Sequence, residues 1–182
     1  MKVIDHFHEL DDCTLPIVTS GTFDGVHSGH FKILNGLVKQ AQDRGGESVV
    51  ITYWPHPRFV LGMGSSSLKL LSTFDEKVKL LSDIGIDYLL KVRFSKEFSE
   101  LSPENFVQKI LIKGIKAKKF IIGYDHRFGK NQTGDIDFLK KNKKRFGLEI
   151  EEISRLDIDQ VGISSTNIRQ ALAAGEVDTA QE

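Results

Sequence analysis

"GTFDGVHSGHFKIL", residues 21–34, sets glycines at 21, 25 and 29 and histidines at 27 and 30 directly ahead of an apolar helical pattern. Residues three positions apart on a helix are neighbours on one face, so the imidazoles of His27 and His30 should point at one object. A helix start presents unpaired N–H groups and a partial positive charge. Both attract phosphate, and imidazoles on the first turn add donors. Gly21, Gly25 and Gly29 let a bulky anion approach the backbone. A surface histidine pair and a zinc site are the competing readings, the second lacking an evident third ligand. No metal ligands are assigned.

Working outward, the same alternation recurs along the chain. LPIVTSGTF (15–23) reads as a strand, and FKILNGLVKQAQDRG (31–45) spaces Phe31, Leu34, Leu37, Val38 and Ala41 helically before Gly45. SVVITYW (48–54) is a β-branched strand that Pro55 and Pro57 should end, since they withhold backbone donors. STFDEKVKLLSDIG (72–85) opens with a capping box, Thr73 with Glu76, and places Phe74, Val78 and Leu81 on one face. YLLKVRF (88–94) is a strand, and LSPENFVQKILIKG (101–114) is a helix with Ser102 as cap, Pro103 at the first helical position and apolar Phe106, Val107 and Ile110. KKFIIGY (118–124) and LEIEEISRLDI (148–158) read as strands, while DIDFLKKNKKRFG (135–147) and the serine-capped SSTNIRQALAAGE (164–176) read as helices.

Five strand-helix units in succession predict a doubly wound α/β fold, a parallel sheet with helices on both faces. Ligands bind such sheets beyond the carboxyl ends of the strands. Residues 21–30, 55–58, 123–129 and 162–166 all fall at strand-to-helix junctions and are expected to line one crevice.

At 182 residues the chain fits one domain and can bury roughly 70% of its surface. Its 25 basic and 25 acidic residues cancel, so there is no global pull toward nucleic acid or an anionic membrane, and neither is expected as a partner. Cys13 is the single cysteine, the N-terminus lacks the apolar stretch of a secretion signal, and no run approaches the ~18 apolar residues of a bilayer span. The expectation is a soluble cytoplasmic protein. KKNKKR (140–145) reads as a solvated helix end, its lysines near the negative pole. Tyr53 and Trp54 read as core or pocket wall, and His56 as either a surface residue or part of a loop site.

GISSTNIRQAL (162–172) supplies a second helix start, where Ser164, Ser165 and Thr166 offer hydroxyls and N–H groups and Arg169 follows a turn later with a two-donor grip. Alone it reads as a plain helix cap. Paired with residues 21–30 it predicts a triphosphate held between two helix starts, hence a nucleotide. GYDHRFGKN (123–131) follows a strand but has five residues between its glycines and Asn where a P-loop needs Ser or Thr. There is no GxGxxG fingerprint. What remains is phosphate transfer by positioning and charge neutralisation.

GTFDGVHSGH resembles the GxFDGxHxGH signature of the HxGH nucleotidyltransferases. With GYDHRFGKNQTGD (123–135) and ISSTNIR (163–169), the chain is similar over nearly its whole length to the adenylyltransferase domain of the prokaryotic bifunctional riboflavin kinase and FAD synthetase family. The resemblance implies a Rossmann-like fold over residues 1–182 and transfer of AMP from ATP to FMN, giving FAD and pyrophosphate with Mg2+. It implies that His27, His30 and Arg169 are catalytic. ATP would be held by Gly21, Phe23, Asp24, Gly29, Ser164, Ser165 and Thr166, and the flavin by Pro55, Pro57, Arg58, Asp125, Arg127, Phe128 and Gly129. His126 stands where the family usually has Phe, and Gln132 where a basic residue is common. Transfer to another phosphorylated acceptor, and a non-catalytic flavin- or nucleotide-binding module, are the alternatives. The family's riboflavin kinase module is expected to lie outside this chain, in the full-length protein or on a separate chain, so that FMN but not riboflavin is a substrate.

Overall fold

The computed structural model describes residues 1–62, 68–153 and 164–181. Six parallel strands form one sheet: β1 (Lys2–Ile4), β2 (Ile17–Ser20), β3 (Ser48–Trp54), β4 (Tyr88–Arg93), β5 (Lys119–Gly123) and β6 (Glu149–Ile153), in the order β1-β4-β3-β2-β5-β6. The helices are α1 (Ser28–Asp43), α2 (Pro57–Val60), α3 (Phe74–Ile84), α4 (Lys96–Ser99), α5 (Pro103–Asn105), α6 (Ile136–Phe146), α7 (Ser165–Ala174) and α8 (Val177–Gln181). A stretch of π-helix, Phe106–Gly114, continues α5.

Alternation along the strands divides the core, because successive side chains point to opposite faces. Ile17, Val50, Leu89 and Ile121 meet Leu34, Leu37 and Ala41 of α1 and Leu81 of α3 on one face. Val18, Val49, Ile51, Leu90, Phe120 and Ile122 meet Phe106, Val107, Ile110 and Leu139 on the other. Helices on both faces of a parallel sheet make the doubly wound α/β architecture.

The sheet has one strand more than the five expected. β1 is three residues long and pairs Lys2, Val3 and Ile4 with Tyr88, Leu89 and Leu90, so its order is imposed by partners more than eighty residues away. The helix expected over 101–114 is capped by the Ser102 hydroxyl as anticipated, but after Asn105 it widens, and Ile115 N–H donates to the Ile110 carbonyl five residues back. A further short helix, α8, follows α7. Residues 154–158 of the expected last strand, and residues 162 and 163 before α7, lie outside the described residues.

The chain order reverses around β2. From it the connections run through α1 to β3 and through α3 to β4 on one side, while β5 and β6 lie on the other. A crevice at the carboxyl ends of β2 and β5 follows from that topology.

Candidate active site

A cavity of about 1030 Å³ opens at those strand ends, walled by Ser20 of β2, Tyr53 of β3, Gly123 of β5, the loop and first turn of α1, and the start of α7. The loop from β2 to α1 is tightly bent. Phe23, Gly25 and Val26 all have left-handed backbone, with φ of 46°, 79° and 41°, the last unusual for a β-branched residue. Gly25 serves this bend rather than an anion. A Cβ there would meet the Leu71 Cβ at 2.8 Å, and Gly25 is not among the cavity-lining residues.

His27 is the N-terminal cap of α1 and His30 lies in its first turn, and their rings stack with centroids 3.7 Å apart. Phe23 packs edge-on against His30 at 5.2 Å. Burial pushes the His30 pKa down to about 3, aided by His27 and Lys77, and burial also lowers His27. Both imidazoles are therefore neutral near pH 7, each with one N–H and one lone pair. The Nδ1 atoms of both are buried without a hydrogen-bond partner among the described residues. Unsatisfied buried polar atoms cost about 1–3 kcal/mol each, a cost that an adjoining ligand relieves.

Asp24 and Arg169 do not line the cavity; they bind each other behind its wall. The Asp24 carboxylate is 2% exposed and accepts from Leu71 N–H (3.0 Å), Ser72 N–H (3.3 Å) and the Arg169 guanidinium. Arg169, expected to grip phosphate, also donates from Nε to the Lys69 carbonyl (2.8 Å) and from Nη1 to the Ser165 carbonyl (3.1 Å). Three segments distant in sequence, the 21–26 loop, residues 69–72 and α7, are thus knotted at one buried carboxylate.

The start of α7 does reach the cavity through Ser164, Ser165 and Thr166. Ser164 spends its hydroxyl accepting Asn167 N–H (3.2 Å), and Ser165 donates its own to the Asp24 carbonyl (3.0 Å). Both hydroxyls hold the helix start in place.

On the opposite wall, Pro57, Asp125, Arg127, Phe128 and Gly129 line the cavity, whereas Pro55 and Arg58 are exposed and do not. Pro57 is the first residue of α2, whose cap is His56, the ring accepting Arg58 N–H (3.2 Å). His56 is buried, not on the surface. Arg127 lies 3.6 Å from the Asp135 carboxylate. Gly129, φ 73°, is needed because a Cβ would meet Pro103 N at 2.7 Å. His126 joins the wall, its Nε2 3.2 Å from Ser20 Oγ, with burial lowering its pKa to about 4.

The sequence reading took Tyr53 for core or pocket wall and Phe128 for a flavin contact but missed the rest of the aromatic wall. Phe94, Phe98 and Phe106 line the cavity beside Tyr53 and Phe128, with ring centroids 5.1 Å apart for Phe106 and Phe128 and 5.8 Å for Tyr53 and Phe98. The density of phenylalanine over 94–106, at another strand-to-helix junction, was the available signal. It also missed Lys77, buried in α3, whose ammonium donates to the carbonyl of cavity-lining Thr22 at 2.6 Å. Among the described residues no group of three or more His, Cys, Asp or Glu side chains could hold a metal ion, and no helix is long and apolar enough to cross a membrane. The basic run 140–145 is an exposed helix end, with Lys140 bound to Glu152 (2.6 Å) and Arg145 to Glu104.

A sequence profile of the FAD synthetase family matches residues 11–167. The bifunctional riboflavin kinase/FMN adenylyltransferase of Buchnera aphidicola (subspecies Schizaphis graminum) is 36% identical over 184 residues, covering 100% of this chain and 59% of that protein. That of Escherichia coli K12 is 34% identical over 175 residues, covering 95% and 56%. The chain thus spans a little over half the length of these curated relatives. Among solved structures, one described as a macrolide-efflux protein from Streptococcus pneumoniae superposes with a TM-score of 0.76 at 24% identity, covering 98% of this chain and 59% of that one. A pantoate-beta-alanine ligase from Francisella tularensis superposes at 0.54 with 14% identity, covering 94% and 76%. These two likenesses bear on the fold alone.

Proposed function

This chain belongs to the FAD synthetase family, and on that premise we propose that it transfers the AMP moiety of ATP to FMN, releasing pyrophosphate. An FMN phosphate oxygen attacks the α-phosphorus, forming the new O–P bond as the bond to the β-phosphate oxygen breaks and its electrons leave with pyrophosphate. The observation that carries the reading is the pair of neutral imidazoles at the start of α1, whose Nδ1 atoms have no hydrogen-bond partner among the described residues, in one cavity wall with the start of α7 at the switch point of the sheet.

In this reading His27 and His30 donate to phosphate oxygens as charge builds on them, and being neutral they act by N–H dipoles that need no reorganisation. Gly21, Phe23 and Gly29 form the nucleotide side of the wall, and the free N–H groups at the start of α7 meet the triphosphate from across the cavity. Asp24 and Arg169 work as positioning residues, holding that helix start against the loop. The isoalloxazine ring packs on the wall of Tyr53, Phe98, Phe106 and Phe128, with Pro57, Asp125, Arg127, Gly129 and His126 at its rim. Pro55 and Arg58 serve by shaping α2 rather than by contact.

Mg2+ fits this site as a companion of the nucleotide. The described residues form no protein cage, and Mg2+ is commonly held by substrate phosphates and water with few carboxylates. Bound so, it would neutralise charge on the triphosphate. The riboflavin kinase activity named for the relatives is assigned to the part of those proteins that this chain does not cover. Burial pushes the thiol of Cys13 up to about 12, so it stays protonated near pH 7, and a single cysteine closes no internal disulfide, which supports work in the reducing cytoplasm. Incubating the protein with ATP, Mg2+ and a panel of phosphorylated acceptors tests the reading: pyrophosphate release with FMN and not with pantetheine phosphate or glycerol phosphate is expected, and release with another acceptor but not FMN overturns it.

A further inference from the structure

Lys77 stands on the apolar face of α3, three residues after Phe74 and four before Leu81, and is 2% exposed. A long aliphatic side chain would fill that position. Instead the fold buries an ammonium whose partners are neutral oxygens, the Thr22 carbonyl at 2.6 Å and the Thr52 hydroxyl at 3.4 Å, with the Trp54 ring centroid 5.5 Å away. Among the described residues no carboxylate forms an ion pair with it. Burying a cation that no carboxylate pairs directly disfavours the folded state, and Asp24, the nearby carboxylate whose charge it feels, is already bound by Arg169, so the charge is kept for something other than stability.

Its surroundings indicate what. Thr22 lines the cavity between Gly21 and the left-handed Phe23, so the bond to its carbonyl fixes the backbone of the wall itself. The positive field of Lys77 also reaches that wall, since it helps to lower the pKa of cavity-lining His30, and it extends to His56 outside the lining. The titratable groups that share its field are Asp24 of the loop, itself bound by Arg169, His30 of α1 and His56 ahead of α2; Lys91 of β4 faces the Phe74 ring instead.

We infer that Lys77 is a positioning residue for the nucleotide phosphates: its ammonium pins the Thr22 carbonyl in the cavity wall and supplies, from beneath the loop, the positive charge that a bound polyphosphate meets. This rests on the nucleotide reading of the cavity. Burial lowers the Lys77 pKa to about 8, with Asp24 opposing the shift. A polyanion in the cavity favours the charged amine and raises that pKa, so binding takes up a proton and the affinity for ATP falls as pH rises through 8. A rise of one unit on binding corresponds to about tenfold in affinity between the charged and uncharged forms.

The test is calorimetric titration of ATP, and separately of FMN, into the wild-type protein and into Lys77→Met and Lys77→Arg, at pH 7 and pH 9.5, with thermal unfolding of each. Lys77→Met should melt at or above the wild-type temperature, bind ATP about tenfold more weakly at pH 7, lose the wild-type drop in affinity between the two pH values, and bind FMN unchanged. Lys77→Arg, which keeps the charge, should recover part of the loss. Wild-type ATP affinity in a folded Lys77→Met, or a pH dependence that survives it, overturns the inference, as does a parallel loss of melting temperature and of both affinities. Should Lys77→Met not fold, wild-type proton uptake on ATP binding at pH 8.5, read in buffers of different ionisation enthalpy, decides: uptake is expected, and its absence overturns the role. Because binding is read and not FAD formation, a failed FAD assay would contradict the proposed reaction while this inference stands or falls on the titration.

Discussion

His27 and His30 owe their contact to one turn of helix and their neutrality to burial, and both consequences can be measured. His27→Ala and His30→Ala should each lower turnover by about 10²–10³, the usual cost of one preorganised donor to transition-state charge, while weakening FMN binding far less. Wild-type turnover in either variant would remove that histidine from the chemistry. The depressed His30 pKa, about 3 against 6.5 for a free imidazole, also bears on stability. Between those values the unfolded chain binds a proton that the folded one refuses, so stability is intact above pH 6.5 and declines as pH falls toward 3. Urea unfolding across that window should show the decline, and His30→Gln should make it shallower, the remainder coming from the other buried histidines, His126 above all, whose pKa is lowered to about 4. Gly25 offers a third residue-scale test. Gly25→Ala forces a side chain into left-handed backbone and against Leu71, and should cost about 1–3 kcal/mol in the same denaturant measurement. No measurable loss would mean that the loop is looser than its geometry.

At the scale of elements, most boundaries were legible because their causes are local. The Thr73 and Glu76 box caps α3 in both directions, Ser164 caps α7, and Trp54 ends β3 ahead of Pro55. What was not legible depends on contacts distant in sequence. β1 exists because Leu89 and Leu90 present an edge to it, the widening of the helix after Asn105 has no signature in FVQKILIKG, and nothing near Arg169 announces that its partner is Asp24, 145 positions earlier. The site shows the same division. His27, His30 and the start of α7 stand in the cavity wall as read from the motifs, whereas Lys77, placed between Phe74 and Leu81, was hidden in an apolar stripe. The Asp24–Arg169 pair makes its own prediction. Arg169→Lys keeps one charge but cannot serve Asp24, Lys69 and Ser165 together, so α7 should loosen from the loop. Activity with saturating FMN should fall and the KM for ATP rise, together with faster amide exchange at the start of α7; unchanged kinetics would show that the pair is dispensable.

At the scale of the molecule, the doubly wound sheet accounts for why one crevice gathers residues from 19 to 166. All strands are parallel, so every strand-to-helix turn opens on the same edge, and the reversal at β2 leaves a gap there. That gap gathers the starts of α1 and α7 and one aromatic wall. On the proposed reading residues 1–182 adenylylate FMN, and phosphorylation of riboflavin falls to the part of the relatives that this chain does not cover. The most direct test uses ATP labelled at the α- or the γ-phosphate, with Mg2+ and either FMN or riboflavin, and separation of the products by chromatography. With FMN, the α-label should appear in FAD and the γ-label in pyrophosphate, one for one; with riboflavin, neither label should enter a flavin. Label from the γ-phosphate in any flavin, or no α-label in FAD from FMN, would contradict the account.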